Sequence, residues 1–407
     1  MGIFDFLSKQ TDESGEKTDD QYFTEGNNFR KIGQHSKAVD SYDKAIAINP
    51  NDANIWISRG LALINLGRNA EAIASYDKAI AINPNVAAAW SNRGVSLVTL
   101  GRHTEALASY DKALAIDPDY AGAWSNRGLA LSNLGRNAEA IASCDKAIAI
   151  NPNDADVLIG RGNTLSNLGR NAEAIASYDK AIAINPNDTA AWSNRGLALS
   201  NLGRHIEALA SIDKAITINP NFAAAWSNRG LALSNLGRHT EALASEDKAL
   251  VINPNNADTW KDRGLALSNL GRHIEALASI DKAIEINPDY AIAWSDRGVF
   301  LATLGRYAEA VSSYDKAIAI NPDYAIAWSN RGNALYNLGG YKEAVSSYDK
   351  VVAINANDAV SWNFRGLALG HLGRHAEALA SFNKAIAIKP DYFEAKQYRE
   401  IALNNQT

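Results

Sequence analysis

Apolar and small residues return along the chain every 34 residues, and within each period they form helical stripes. In residues 121–154, Trp124, Gly128 and Leu131 are spaced by four residues and then by three. Residues at these spacings lie on one face of an α-helix. The first half of the period therefore predicts an amphipathic helix with a narrow apolar face.

A second stripe follows in the same period, and polar residues separate it from the first. Ala140, Cys144 and Ala147 repeat the spacing of four and three. Gly135 lies between the stripes, where glycine suits the left-handed residue after a helix. The segment Asn151–Asn153, with a central proline, interrupts the second stripe. Each period thus predicts a helix–turn–helix unit.

The period is kept along almost the whole chain, and we number its positions so that the tryptophan is position 4. Glycine occupies positions 8 and 15 and alanine position 20 in all eleven copies. The ten prolines share a single phase, and the nine tryptophans share position 4: Trp56, Trp90, Trp124, Trp192, Trp226, Trp260, Trp294, Trp328 and Trp362. Such regularity predicts an array in which each unit contacts only its neighbours.

The period length, the helix–turn–helix form and the W…G…A…aromatic…A…P pattern resemble the tetratricopeptide repeat (TPR) of tandem bacterial and archaeal proteins. The resemblance covers residues 19–392 as eleven repeats. It implies an all-α fold, an α-solenoid that forms a right-handed TPR superhelix. We expect residues 1–18 to be a disordered acidic N-terminal tail and residues 393–407 to be a C-terminal capping helix.

Position 7, commonly leucine in this family, is arginine in ten copies, and position 25 is aspartate in ten copies. Each aspartate has an arginine sixteen residues later, in the following repeat, as in Asp179 and Arg195. The first repeat lacks the arginine and the last lacks the aspartate, so only pairing between repeats matches every residue. We predict ten inter-repeat ion pairs that set the angle between repeats. The alternative is that the pattern only records copying of one unit.

Charge and hydropathy exclude several classes of protein. The net charge is −5, and four of those charges lie in residues 1–20, so the array has no basic footprint for nucleic acid. The sequence has no apolar run of 18 residues and no secretory signal, which predicts no transmembrane segment and a cytoplasmic protein. The resemblance to bacterial and archaeal TPR proteins implies a prokaryotic one. Residues 3–7 form a short apolar hook, which we interpret as part of the disordered tail; the alternative is that it docks on a partner, a membrane surface or the groove of the array.

No catalytic residue, metal site or cofactor is predicted. Six of the seven histidines occupy position 17, one per repeat, and ligands of one metal must converge far more closely. The sequence has no phosphate-binding loop, dinucleotide fingerprint, zinc-binding helix motif or nucleophile elbow. Cys144 stands at position 24, which is aromatic in most copies, and we interpret it as a small buried thiol.

Helix A of a TPR, the first of each pair, lines the concave surface, so positions 2, 6, 9 and 13 are candidates for a peptide-binding groove. Asparagine recurs at position 6 and can donate to and accept from one peptide unit. The ladder resembles one in the TPR region of O-linked N-acetylglucosamine transferase, although no transferase domain is present. The candidate groove residues are Asn92, Asn126, Asn194, Asn228 and Asn330, with Asp262, Asp296 and Lys261 as a mixed-charge patch.

The alternative for these amides is a solvated helix surface with no ligand. Repeat five departs from the others, with Leu158 in place of tryptophan and Gly160 in place of asparagine, and we interpret it as a softer joint. The function predicted is a non-enzymatic scaffold or adaptor that binds a peptide or partner helix in its groove. The alternative is a regulatory or targeting subunit of an enzyme whose catalytic part is another chain. The partner, the pathway and the oligomeric state stay open.

Overall fold

The computed structural model describes residues 17–404, and its regular elements are 23 α-helices. The predicted tail and its apolar hook therefore lie almost entirely outside the described residues. The helices come in pairs that follow the 34-residue period, which confirms the prediction of an all-α solenoid. Helix α1 begins at Asp19, directly after Thr18, whose side chain accepts a hydrogen bond from the backbone of Gln21.

The chain divides into two compact units, the first ending at Gly203 and the second beginning at Arg204. The helices of the first unit are α1 (Asp19–Lys31), α2 (His35–Ile48), α3 (Ala53–Asn65), α4 (Asn69–Ile82), α5 (Ala87–Thr99), α6 (His103–Ile116), α7 (Ala121–Asn133), α8 (Asn137–Ile150), α9 (Ala155–Asn167), α10 (Asn171–Ile184) and α11 (Thr189–Asn201).

The second unit begins with the second helix of the sixth repeat. Its helices are α12 (His205–Ile218), α13 (Ala223–Asn235), α14 (His239–Ile252), α15 (Ala257–Asn269), α16 (His273–Ile286), α17 (Ala291–Thr303), α18 (Tyr307–Ile320), α19 (Ala325–Asn337), α20 (Tyr341–Ile354), α21 (Ala359–His371), α22 (His375–Ile388) and α23 (Phe393–Asn404). The last of these follows the eleventh repeat.

The turn inside each repeat depends on the glycine at position 15. Helix α7 ends at Asn133, and Gly135 follows with a φ of 72°. All eleven glycines at this position have positive φ, in a region that L residues rarely adopt. This backbone requirement explains why the position never varies.

The two helices of a repeat approach closely where glycine at position 8 faces the side chain at position 24. A Cβ atom added to Gly60 would lie 2.6 Å from ring atoms of Tyr76, and the tyrosine is fully buried. The aromatic ring thus occupies the space that a larger residue on the first helix would need. This contact forms the centre of the core of most repeats.

Each tryptophan stands six residues after the turn that precedes its repeat, and a hydrogen bond explains this constant spacing. Each tryptophan donates a hydrogen bond from its indole Nε1 to the carbonyl oxygen of the residue six positions earlier, and the distance from Trp56 to Pro50 is 2.9 Å. Trp362 makes the same bond to Ala356 at 3.0 Å. The indole therefore binds a backbone carbonyl in the turn between repeats. The bond does not require proline at that residue, because Ala356 accepts it as well.

Within each unit, the first helices of consecutive repeats contact one another, as α5 does α7 and α15 does α17. Among the described residues, the second helices of consecutive repeats make no comparable contact. The first helices are therefore closer together and line the inner, concave face of each unit. This geometry places positions 2, 6, 9 and 13 of the first helices where a ligand could reach them.

Candidate functional site

The inner face of the first unit contains a cavity of about 520 Å³ between α7 and α9. Among the residues that line it are Asn126, Asn133, Asp156 and Asn163, which stand at positions 6, 13, 2 and 9 of their repeats. The structure thus brings together side chains from the four positions that the sequence marked as a candidate groove. Positions 2, 6, 9 and 13 lie on one face of each first helix, because successive positions are about one helical turn apart.

The asparagines at position 6 are half-buried, and they do not all make the same contacts. Asn194 Nδ2 donates a hydrogen bond to Asn163 Oδ1 at 2.9 Å, and the hydroxyl of Tyr178 donates to the same oxygen at 2.8 Å. Asn194 is therefore part of an internal polar chain. Its amide is less available to a ligand than the ladder pattern alone indicates.

Three other ladder residues have unused hydrogen-bonding capacity. Within residues 17–404, the side-chain amides of Asn92, Asn126 and Asn330 make no hydrogen bond to another residue. Each of the three side chains is half-buried on the first helix of its repeat, as is Asn228. Half-buried amides that retain both a donor and an acceptor can bind a peptide group. These three residues are the ladder positions best prepared for a ligand.

The predicted mixed-charge patch lies in the second unit, on α15 and α17. Lys261 Nζ lies 3.1 Å from an Asp262 carboxylate oxygen and 5.9 Å from the ring centre of Tyr290. The Tyr290 hydroxyl donates a hydrogen bond to Asp258. The pKa of Asp296 is raised to about 6, chiefly by burial; Lys261 opposes the shift and Asp262 adds to it. Lys261 thus forms an ion pair with Asp262, and its charge also lowers the pKa of Asp296.

A fourth acidic group, Glu246, joins this cluster, and the sequence analysis missed it. Glu246 stands at position 24 of repeat seven, where most repeats carry tyrosine, and its residue exposure is only 1%. Burial raises the pKa of its carboxyl to about 9, and the charge of Asp262 adds to the shift. Its Oε2 atom is buried and makes no hydrogen bond to any described residue. The sequence signal was present, because Glu246 is the one acid at position 24 among the eleven copies.

The structure places all ten predicted Asp–Arg pairs within ion-pair distance. In the pair formed by Asp179 and Arg195, the arginine Nε lies 2.6 Å from Asp179 Oδ1. The other nine distances are between 2.6 and 2.8 Å, across Asp43–Arg59, Asp77–Arg93, Asp111–Arg127, Asp145–Arg161, Asp213–Arg229, Asp247–Arg263, Asp281–Arg297, Asp315–Arg331 and Asp349–Arg365. Each pair joins the second helix of one repeat to the first helix of the next.

Where both helices of a repeat lie in one unit, the arginine also bonds forward, to a serine on the second helix of its own repeat. Arg127 Nη1 donates to Ser143 Oγ at 2.7 Å, while its Nε contacts Asp111 on the preceding second helix. One guanidinium therefore links three helices, and its planar fork sets the angles between them. This arrangement supports a role in inter-repeat geometry, whereas the energetic coupling of the pair is a separate question.

We expect a double-mutant cycle on Asp179→Ala and Arg195→Ala to give a coupling energy of about 0.5–1 kcal/mol in denaturant-induced unfolding. The value is modest because Asp179 is about half exposed, although Arg195 is only 23% exposed. The exposed pair Arg170–Glu173, within one repeat, is the control and is expected to couple less. Equal coupling in the two cycles would contradict a special role for the inter-repeat pair.

Three further features concern possible metal ligands, the Cys144 thiol and membrane-spanning helices. Within residues 17–404, no three Asp, Glu, His or Cys side chains converge as metal ligands would. The Cys144 thiol is buried, and burial raises its pKa to about 11, with the nearby Asp145 adding to the shift. A thiol with so high a pKa is a poor nucleophile at neutral pH. Every described helix is too short or too polar for a membrane span.

Models of the tetratricopeptide repeat match the chain through nearly all of its periodic region. Four models described as TPR repeat or tetratricopeptide repeat match residues 26–67, 60–101, 162–203 and 301–339, residues 91–155 and 329–393, residues 189–222 and 257–290, and residues 143–176, 212–244 and 280–312. The chain belongs to the tetratricopeptide repeat proteins. The TPR resemblance seen in the sequence is confirmed.

Three solved structures are similar to this chain over different shares of its length. The APC/C hetero-tetramer Cut9–Hcn1 is 15% identical, with 98% of each chain covered and a TM-score of 0.53. YrrB, described as a TPR protein with an unusual peptide-binding site, is 30% identical over 47% of this chain and 96% of its own, with a TM-score of 0.40. A TPR protein from Parabacteroides merdae is 22% identical over 61% of this chain and 99% of its own, with a TM-score of 0.45. No curated protein matches the sequence.

Proposed function

We propose that this TPR protein is a non-enzymatic scaffold whose inner face binds an extended segment of a partner protein. The observation that carries the proposal is the unused hydrogen-bonding capacity of Asn92, Asn126 and Asn330 on the first helices. An extended peptide exposes one N–H and one C=O per residue, and a side-chain amide can pair with both. A series of such amides suits a ligand that is recognised through its main chain.

Apolar side chains between the amides support the same proposal. Leu129 stands at position 9 of α7, on the same helix face as Asn126, and it is 54% exposed. In the second unit, Leu265 and Val299 stand at position 9 of the helices that carry Asp262 and Asp296, and they are 36% and 38% exposed. Exposed aliphatic groups beside half-buried amides can hold the side chains of a bound peptide, while the amides hold its backbone. A face that only kept the protein soluble would carry more charge.

The test is a selection from a random peptide library on the full chain, followed by measurement of the affinity of the selected peptides. We expect the double substitution Asn92→Ala and Asn126→Ala, both in the first unit, to weaken binding at least about fivefold, because each lost hydrogen bond is worth about 0.5–1.5 kcal/mol. Asn194 is left intact because its amide is used internally.

A matched variant separates groove binding from any general effect of removing asparagine. The changes Asn85→Ala and Asn153→Ala remove two amides from exposed turns between repeats, and they are expected to leave affinity unchanged. Both variants must retain the helicity and melting temperature of the natural protein. The proposal is wrong if no peptide is selected, or if the groove variant Asn92→Ala/Asn126→Ala binds as well as the turn variant.

A further inference from the structure

The cavity between α7 and α9 exists because the fourth and fifth repeats lack large side chains that other repeats have. Cys144 stands at position 24, where six copies carry a tyrosine. A Cβ atom on Gly128 would lie 2.9 Å from the Cys144 sulfur, so the thiol fills the space next to the glycine. It does not fill the space that the outer part of a tyrosine ring occupies. That space opens into the inner face.

A second departure widens the same cavity. Gly160 stands at position 6, where the neighbouring repeats have Asn126 and Asn194. A Cβ atom added to Gly160 would have no other heavy atom within 4 Å, in contrast to the tight surroundings of the glycines at position 8. Glycine within a helix lowers its stability, so its position here has a local cost. The open space above Gly160 is continuous with the space above Cys144, since both line one cavity.

The two ends of the cavity differ in chemistry. Asp154 and Asp156 lie at one end, where α9 begins, and Ser132, Asn133 and Asn163 lie at the other. In the described part of the chain, no lysine, arginine or histidine lies within ion-pair distance of either aspartate. One oxygen of Asp154 accepts a hydrogen bond from the backbone of Val157, and both carboxylates remain without a counter-ion.

We propose that this cavity binds the arginine side chain of an extended segment of a partner protein, with the guanidinium at the Asp154–Asp156 end. The inference rests on the proposed function, because the segment is held in the same inner face. The arginine stem would lie over Gly128, Gly160 and Val157, where the wall is small or apolar. The backbone of the segment would lie at the amide end.

The dimensions and the charge of the cavity favour arginine over other large side chains. Ser125 and Ser132 mark the two ends along α7, and seven residues of helix separate them by about 10 Å. An extended arginine side chain spans most of that length. Its guanidinium offers five donors to carboxylate acceptors, and its long stem can contact apolar atoms. A tyrosine or leucine would leave both carboxylates without a counter-ion.

The amide end supplies the groups that a peptide backbone needs. Asn163 Oδ1 already accepts hydrogen bonds from Tyr178 and Asn194, which orients its side chain. Its Nδ2 group has no acceptor among the described residues and can donate to a backbone carbonyl of the segment. The side chain of Asn126, also unpaired, lines the same cavity. The segment is thus fixed at its backbone while its side chain reaches the acidic end.

The experiment titrates the full chain with capped pentapeptides of sequence Ala-Ala-Xaa-Ala-Ala and follows the amide signals of α7 and α9 by NMR. Xaa is arginine, citrulline, lysine or tyrosine. We expect the arginine peptide to bind at least about tenfold more tightly than the citrulline peptide, which has nearly the same shape and no charge. Equal binding of these two peptides overturns the proposal, as does tighter binding of the tyrosine peptide.

Three variants test the location of the bound arginine. Cys144→Tyr and Gly160→Asn restore the residues of other repeats and fill the cavity, so both are expected to abolish the preference for arginine without unfolding the repeat. Asp156→Asn is expected to reduce the preference, whereas Asp119→Asn, in an exposed turn outside the cavity, is expected to leave it unchanged. Retention of the preference in both cavity-filling variants places the arginine elsewhere and overturns the proposal.

The outcomes also separate this proposal from the broader one. If library-selected peptides bind and depend on Asn92, but the cavity-filling variants bind them unchanged, the scaffold function stands and the arginine site is wrong. If no peptide binds the inner face at all, both proposals fail together.

Discussion

Replacing Glu246 with isoleucine is expected to raise the free energy of unfolding of the second unit by about 2–4 kcal/mol at pH 7. Glu246 has a buried oxygen without a hydrogen-bond partner, and its exposure is only 1%. Isoleucine fits the position, because Ile212 and Ile280 occupy it in the adjacent repeats and are fully buried. The change removes an unsatisfied polar group and adds apolar burial.

The measurement is native-state hydrogen exchange of the amides in α13, α14 and α15, supported by thermal unfolding of the full chain. Protection in these helices should increase in Glu246→Ile and not in a matched exposed change, Glu241→Ile, on the same helix. A loss of protection in the isoleucine variant would contradict the expectation. It would mean that the carboxyl group contributes an interaction that the static contacts do not show.

The same residue predicts a pH dependence of stability. The pKa of Glu246 is raised from 4.5 to about 9 in the folded protein, so folding favours the protonated form. The contribution of Glu246 to stability is therefore greatest below the ordinary pKa of 4.5, and it falls by about 1.4 kcal/mol per pH unit until the pH reaches about 9. The hydroxyl of Ser227 on α13 and the ammonium group of Lys261 on α15 oppose the shift, while Asp262 and Asp247 increase it.

Glu246→Gln isolates this effect, because it keeps the shape and removes the titration. Between pH 6.5 and 9, above the pKa of about 6 for Asp296, the natural protein should lose stability steadily while the glutamine variant changes much less. Parallel pH profiles for the two proteins would show that Glu246 is not the group responsible.

Two glycines of α9 are expected to respond in opposite ways to the same substitution. A Cβ atom on Gly162 would lie 2.5 to 2.9 Å from three ring atoms of Tyr178, which is buried and hydrogen-bonded to Asn163. The tyrosine cannot move aside without losing that bond, so Gly162→Ala is expected to destabilise the first unit by about 1–3 kcal/mol. A Cβ atom on Gly160 meets nothing within 4 Å.

Gly160→Ala therefore serves as the matched control, and we expect it to stabilise the helix by about 0.5–1 kcal/mol, the ordinary gain of alanine over glycine. Urea-induced unfolding of both variants, with hydrogen exchange to assign the change to α9 and α10, checks the pair. Equal effects of the two substitutions would contradict the tight Gly162–Tyr178 contact.

The repeating sequence predicted the elements of the fold because the signals that define them are local. A stripe of residues spaced by four and three encodes a helix face, and Gly135 encodes the left-handed residue that ends the helix. The chain shows these signals eleven times, so chance agreement at one repeat could not mislead the assignment. The contact between Asp179 and Arg195 could also be predicted from the sequence. Only pairing between repeats leaves no aspartate at position 25 and no arginine at position 7 without a partner.

The candidate site was only partly predictable. The positions of the inner face followed from helix periodicity, and the structure brings four of them together around one cavity. Helix periodicity did not predict that the individual asparagines make different contacts. Asn194 is bound to Asn163 while Asn126 is unpaired, because the partner of each amide depends on which residue the next repeat presents across the gap.

The sequence by itself determined the helices, their pairing into repeats and the regular contacts that recur in every repeat, because these depend on residues within one period. The tertiary structure alone decided where space and unpaired charge remain: the cavity above Cys144 and Gly160, and the buried carboxyl of Glu246. Both arise where one repeat departs from the pattern that its neighbours were packed to match. The consequence of such a departure depends on side chains that meet across helices, and no single period of the sequence contains that information.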